Sequence, residues 1–168
     1  ADLRLALRSK ALAADVTGRV DLGQNRFGNL RIDARLLEPG SIAENVRGNA
    51  VRLAAALDGP FATPAIAYRL TAEQIGFGSM GVDGLTAEGR ATIDADRILI
   101  PLHAKARHVT GLNAAAGGLL IDLAVDGDLA WSNGRLLSDN LKLKSSQIDA
   151  TALVLVEPGK GRYTGAIK

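Results

Sequence analysis

The sequence predicts an all-β chain: an elongated, curved antiparallel sheet with one apolar side and one charged side. Three observations predict it. Apolar and charged residues alternate at a period of two along most of the chain, as in Leu85, Ala87, Gly89, Ala91, Ile93 and Ala95 against Thr86, Glu88, Arg90, Thr92 and Asp94. The alternating runs are about ten residues long and are separated by Gly, Asn and Asp turn signals. Glycine also recurs inside the runs in one phase: Val16-Thr-Gly18-Arg-Val20, Ala87-Glu-Gly89-Arg-Ala91, Val125-Asp-Gly127-Asp-Leu129 and Tyr163-Thr-Gly165-Ala-Ile167, with an imperfect copy at Val46-Arg-Gly48-Asn-Ala50. A glycine within a strand marks a bend or bulge, so its repetition predicts a sheet that curls the same way each time.

Taken in order, Leu3, Leu5 and Leu7 against Arg4 and Arg8 give a first short strand, and Ala14 to Leu22 a second. Gly23 to Arg26 is a turn, and Leu30, Ile32, Ala34 and Leu36 give a third strand. Pro39 and Gly40 stop it. Ser41 followed by Glu44 has capping-box spacing and predicts one short helical turn over Ser41–Asn45. Val51, Leu53, Ala55 and Leu57 alternate before Asp58-Gly59-Pro60, which favours strand over an alanine-rich helix, the more so because Gly48 interrupts the helical option. Ile66, Tyr68 and Leu70 continue the pattern, and Gln74 to Gly78 reads as a short edge piece.

The central strands follow. Leu85 to Asp96 returns through Ile98, Ile100, Leu102, Ala104 and Ala106, with His103, Lys105 and Arg107 on the other side. Gly111 to Gly118 is a loose connection. Leu119, Ile121, Leu123, Val125, Gly127, Leu129 and Trp131 then share a face opposed by Asp122, Asp126 and Asp128. Asn133-Gly134 is a hairpin turn, followed by strands over Leu136–Lys144 and Ile148–Val156, a turn at Pro158–Gly161, and a last strand to Lys168.

Composition narrows function. The chain has 168 residues, 47% hydrophobic and only 4% aromatic, so its core is built from Leu, Ile, Val and Ala. That argues against an outer-membrane barrel, which needs aromatic girdles, and against a stacking platform for single-stranded nucleic acid. A net charge of +2 with acids and bases interspersed gives no basic patch, so no nucleic-acid partner is expected. Without cysteine there are no disulfides or thiolate metal sites. The opening at Ala1-Asp-Leu-Arg reads as a piece of a longer protein, and no run is long and apolar enough to span a bilayer.

No catalytic constellation stands out, and the chain is expected not to be an enzyme. Gly76-Phe-Gly78-Ser-Met-Gly81 matches the dinucleotide fingerprint by letter, with Asp96 about twenty residues on. A strand-like run follows it instead of a helix, so a turn between strands is expected and no cofactor. His103 and His108 are the only histidines and lack further ligands at metal spacing. Asp94 with Asp96, and Asp126 with Asp128, lack the loop of oxygens that calcium needs. Arg135, Lys142 and Lys144 read as a solvated face.

Long amphipathic strands with few aromatics, the recurring turns Leu57-Asp-Gly-Pro60, Val82-Asp-Gly-Leu85 and Val125-Asp-Gly-Asp128, and the segments Gly84–Arg97 and Gly134–Leu141 resemble the TamB family, within the wider AsmA-like group of bacterial envelope proteins. The resemblance covers most of the chain. It implies a slab, residues 1–168, of a long protein anchored in the inner membrane of a Gram-negative bacterium and crossing the periplasm. It further implies a U-shaped β-groove, or β-taco, whose apolar inside contacts phospholipid acyl chains bound for the outer membrane. Adjacent repeats of the same chain and an outer-membrane partner of the TamA type, linked to outer-membrane protein assembly and secretion, are the partners implied.

The alternation assigns the inner wall to Val16, Val20, Leu30, Ile32, Leu53, Leu57, Ile66, Leu70, Leu85, Ile93, Ile100, Leu102, Ile121, Leu123, Val125, Leu129, Leu143, Ile148, Val154 and Ile167. The same alternation also suits an extracellular β-sandwich used for adhesion or as a spacer, in which two apolar faces seal one another.

Overall fold

Period-two alternation commits each segment to an extended backbone with one dry side, and short turns commit successive segments to antiparallel neighbours. In the computed structural model, which describes residues 1–41, 45–94, 97–111, 119–157 and 162–167, both commitments are met. The strands are β1 (Asp2–Arg8), β2 (Leu12–Asp21), β3 (Arg26–Leu36), β4 (Val46–Asn49), β5 (Val51–Pro60), β6 (Ala65–Phe77), β7 (Met80–Asp94), β8 (Arg97–Thr110), β9 (Leu119–Ser132), β10 (Arg135–Lys144), β11 (Asp149–Glu157) and β12 (Arg162–Ile167). They form one open antiparallel sheet in the order β1-β2-β3-β5-β6-β7-β8-β9-β10-β11-β12, with β4 paired to the end of β6. Neighbours in space are neighbours in sequence except around β4, where β3 pairs with β5 and β4 with β6, and the sheet does not close into a barrel.

Two local expectations shift. The helical turn is a 3₁₀ turn at Pro39–Ser41, two residues earlier than expected, because Pro39 supplies the fixed φ that starts it. Ser41 donates from its backbone N–H to the Glu38 carbonyl at 3.0 Å and from its hydroxyl to Glu38 Oε2 at 3.2 Å, while Glu44 lies outside the described residues. Gln74 to Phe77 is no edge piece. It is the tail of β6, held between β4 and β7 through Gln74↔Asn49 and Gln74↔Asp83. Of the expected connection Gly111 to Gly118, residues 112–118 lie outside the described residues, as does the expected turn at 158–161.

The sheet bends along a line that crosses five strands at one level. Ala50, Glu73, Gly84, Arg107 and Asp122 fall opposite one another in the register of successive pairs, and at each of them the ladder is interrupted without slipping. Ala50, Gly84 and Asp122 have left-handed backbones, with φ of 51°, 62° and 51°. Passing one such residue reverses which side the following side chains face. Residues three apart therefore point the same way across the line: Gly48 and Val51, Ala72 and Ile75, Val82 and Leu85, Ala106 and Val109, Leu120 and Leu123.

Among the described residues, half of the twelve buried hydrophobic ones lie along this crease. Val51, Ala72, Ala106, Val109, Leu120 and Leu123 are all buried, and Ala106, Val109, Leu120 and Leu123 form a cluster onto which Val82, Val125, Leu143 and Ile148 pack. The apolar side therefore lies inside the bend. The in-strand glycines Gly18 and Gly127 mark further irregularities, beside register shifts in the β2–β3 and β9–β10 pairs.

Because Asp122 is a non-glycine residue in a left-handed backbone, a β-branched side chain there is expected to cost about 1–2 kcal/mol, whereas Asp122→Gly is expected to be neutral or slightly stabilising. Denaturant unfolding of Asp122→Val and Asp122→Gly reads the difference, and equal stabilities would show that the crease does not depend on that backbone.

Candidate functional site

Directly paired residues of an antiparallel sheet share a face, so the apolar side can be followed from strand to strand. One row is unbroken over ten strands: Leu7, Ala14, Ala34, Leu53, Leu70, Ala87, Ala104, Val125, Leu143 and Ala150, each the register partner of the next. At about 4.8 Å per strand, nine spacings make a dry stripe roughly 43 Å long, perpendicular to the strands. A second row, Ile93, Ile98, Trp131, Leu136 and Val156, runs over β7 to β11.

Nothing among the described residues seals this face. All described strands belong to one sheet, and no large side chain is fully buried. The accessible surface is 10851 Å² for 17.5 kDa, where a compact chain of that mass exposes about 7,900 Å². Of the residues expected on the inner wall, Leu30 and Leu123 are buried. Val16, Val20, Ile32, Leu57, Ile66, Leu70, Leu85, Ile93, Ile100, Leu102, Val125, Leu129, Leu143, Ile148 and Val154 are half-buried. Leu53, in the middle of the long row, is 39% exposed. The Ile167 side chain lies outside the described residues.

Ile121 departs from the expected facing. The left-handed Asp122 reverses the side, so Ile121 is 38% exposed while its neighbour Leu120 is 5% exposed and belongs to the dry side.

The inner face carries a polar group at Tyr68. Tyr68 faces Gly89 in the register, and its hydroxyl reaches past that glycine to donate to the Pro101 carbonyl at 2.6 Å. The arrangement explains a proline in an interior strand, where none is ordinarily tolerated. The β7–β8 ladder opens between Glu88↔His103 and Thr92↔Leu99, and the Tyr68 hydroxyl satisfies the carbonyl the ladder leaves free. A side chain at Gly89 would run into the Pro101 carbonyl oxygen and the Tyr68 hydroxyl. Burial also pushes the Tyr68 hydroxyl up from its ordinary value of 10.0.

The outer face carries a ladder of charges: Arg69, Glu88, His103, Asp126 and Lys142 are successive register partners. Arg69 pairs with Glu88 at 2.6 Å, and His103 Nδ1 lies 2.8 Å from Asp126 Oδ1. All are exposed, so each pair is worth at most about 1 kcal/mol. Asp128 accepts from the Asn140 amide at 3.2 Å, and Arg135 pairs with Glu157 at 2.8 Å. Among the described residues no three His, Asp or Glu side chains converge as a metal would need. The glycine-rich Gly76–Gly81 segment is a hairpin, with Phe77↔Met80 and Gly76↔Gly81 paired around Gly78 and Ser79.

The outer side is not polar throughout, contrary to the alternation. Leu99, Ala130, Leu137 and Leu155 form an apolar row there, and with Leu153 and Ala166 they line a hollow of about 660 Å³. The signal was in the sequence: the Leu136-Leu137 doublet and the continuous run Leu153 to Val156 are two-sided, not alternating. Compared with protein-family models, with curated proteins and with solved structures, the chain matches none.

Gly89→Ala is expected to destabilise the fold by about 1–3 kcal/mol through overpacking, and Tyr68→Phe by about 1 kcal/mol through the lost hydrogen bond. The folded state holds the phenol proton more tightly than the unfolded chain does, so this contribution is fully present below pH 10 and is lost as pH rises through the higher folded value. Stability measured from pH 9 upward should therefore fall faster in the parent than in Tyr68→Phe; parallel curves would contradict the assignment.

Proposed function

We propose that this chain is a non-enzymatic segment of a TamB-like, AsmA-like bridge protein of the bacterial envelope. In this reading it stands in the periplasm as part of an inner-membrane-anchored chain, and its apolar trough conducts phospholipid tails toward the outer membrane. Support of outer-membrane protein assembly through a TamA-type partner belongs to the parent protein in the same reading.

The observation that carries the proposal is the ten-strand apolar row, over which no second sheet is laid among the described residues. A tail lying along the row gains roughly 0.8 kcal/mol for each CH₂ it buries. The stripe of roughly 43 Å exceeds the ~15 Å depth of one leaflet's hydrocarbon, so a tail lies within it with room to move. Leu, Ala and Val offer no directional group along the row, so one position is about as favourable as the next. Such a surface holds tails without fixing them, while the charge ladder keeps the opposite face wetted. The adhesion or spacer reading needs two apolar faces sealed together, and the half-open Leu53 and the absence of any fully buried large side chain among the described residues weigh against that.

Organic extraction of the purified chain followed by mass spectrometry is expected to yield phospholipid. Leu53→Arg, which puts a charge on the row at a position already 39% exposed, is expected to reduce the recovered lipid several-fold while leaving the unfolding midpoint nearly unchanged. Leu123→Arg is the wrong variant for this purpose, since Leu123 is buried beside the crease. A chain that yields no phospholipid and takes up none from phosphatidylethanolamine vesicles would not be a conduit.

A further inference from the structure

Two pairs of like charges stand side by side on the outer face. Arg35 of β3 is the direct register partner of Arg52 of β5, and Asp33, two residues before Arg35, is the direct partner of Asp15 of β2. Like charges set directly opposite one another destabilise a sheet unless something neutralises them. The acidic pair is partly neutralised, because Asp15 is bound to Arg8 at 2.6 Å. The basic pair is not: among the described residues, neither the Arg35 nor the Arg52 side chain makes an ion pair or a hydrogen bond.

These groups meet in one place. A hollow of about 430 Å³ is lined by Arg35, Arg52, Arg69, Thr71, Asp15 and Asp33. Arg69 is held by Glu88 at 2.6 Å and Asp15 by Arg8, which leaves two guanidinium groups, the Asp33 carboxylate and the Thr71 hydroxyl without a partner among the described residues. Arg52 is the register partner of Thr71, and Thr71 of Thr86, so the row Arg35, Arg52, Thr71, Thr86 contains no acid.

The free groups specify a ligand through their donors and acceptors. Arg35 and Arg52 can only donate, from planar forks that match the oxygens of a phosphate or similar anion. Their facing Cβ atoms are roughly 5 Å apart, so one tetrahedral anion can bridge both. Asp33 can only accept. Sulfate has the right shape and charge, but it has lost all its protons and would set an oxygen against that carboxylate. Hydrogenphosphate carries both kinds of group: oxygens for the two arginines and one P–O–H to donate to Asp33. A phosphomonoester does the same in its singly protonated form, whereas a phosphodiester has no such proton.

We propose that the Arg35–Arg52 pair, with Asp33 beside it, is a binding site for a protonated phosphate group, either inorganic hydrogenphosphate or a phosphomonoester. The arginines hold the charge, Asp33 selects for the proton, and Thr71, which can donate or accept, forms the wall toward β6. The site lies on the wetted face, across the sheet from the apolar row, and the inference does not depend on what the trough carries.

Calorimetric titration with phosphate, sulfate and dimethyl phosphate, at neutral pH and matched ionic strength, tests the site. Phosphate is expected to saturate one site and to bind at least about ten times more tightly than either of the others, the worth of one hydrogen bond to a charged group. Arg35→Gln and Arg52→Gln are each expected to weaken phosphate by about tenfold or more. In phosphate-free buffer their unfolding midpoints should stay level with the parent or rise, since the like-charge contact is relieved. Asp33→Asn, which replaces the acceptor with a group that also donates, is expected to bring sulfate up to the affinity of phosphate. Vesicles distinguish the sources: phosphatidic acid in a phosphatidylcholine bilayer competes with phosphate if the site takes a lipid headgroup, and does not if it takes the soluble anion alone, and either result supports the site. No saturable phosphate binding, equal binding of phosphate and sulfate by the parent, phosphate affinity unchanged in Arg52→Gln, or discrimination that persists in Asp33→Asn would each overturn the proposal.

Discussion

The constraint that governs this molecule is that a continuous apolar row stays on one face from strand to strand while the sheet bends. A period-two backbone meets that demand only when flat, because bending adds residues and each added residue reverses the facing of all that follow. The chain meets it by placing the irregular residues at the same level on adjacent strands. Ala50, Glu73, Gly84, Arg107 and Asp122 break phase together, so partners stay partners and both sides of the crease present Leu, Val and Ala inward. The burial of Leu120 and Leu123 follows from this alignment, and so does the uninterrupted row that runs three residues from the crease.

Much of the architecture was legible in the amino acids. Alternation placed the strands, the glycine and asparagine turns placed the hairpins, and the capping residues placed the short helical turn within two positions. The crease was not legible, because alanine seldom adopts the left-handed backbone of Ala50, and Asp122 stands in an alternating run with Asp126 and Asp128, where it reads as one more residue of the solvated face. Reading phase straight through Asp122 put Ile121 on the wrong side. Reading it through Leu136 and Leu137 hid the apolar row on the outer face, since a strand with two dry sides has no alternation to find. Gln74 to Phe77 looked like an edge because its partner β4 is only four residues long and lies upstream of the bend.

The candidate site was legible as a face and not as a geometry. The residues assigned to it by alternation do fall mostly on the half-buried side, yet the chemistry of that side turns on a residue alternation treats as one more hydrophobe. Tyr68 reaches over Gly89 to rescue the Pro101 carbonyl, a contact among three strands that no spacing rule would assemble. It needs a glycine for clearance, a proline to open the ladder, and a phenol of the right length. Elsewhere the face is made of groups that attract apolar matter without orienting it. The charges sit opposite, exposed, and act as solvation more than as structure.

The sequential meander also says something about how such a chain is made. Apart from the short β4, which pairs with β6 and leaves β3 to pair with β5, each strand pairs with the one delivered before it and the one delivered after, so no distant segment has to be found and little loop entropy opposes closure. Order can be laid down like courses of brick, from either end, as polypeptide emerges from a ribosome or a translocation pore. It also means that one hairpin can be gained or lost in evolution without redrawing the cross-section of the rest.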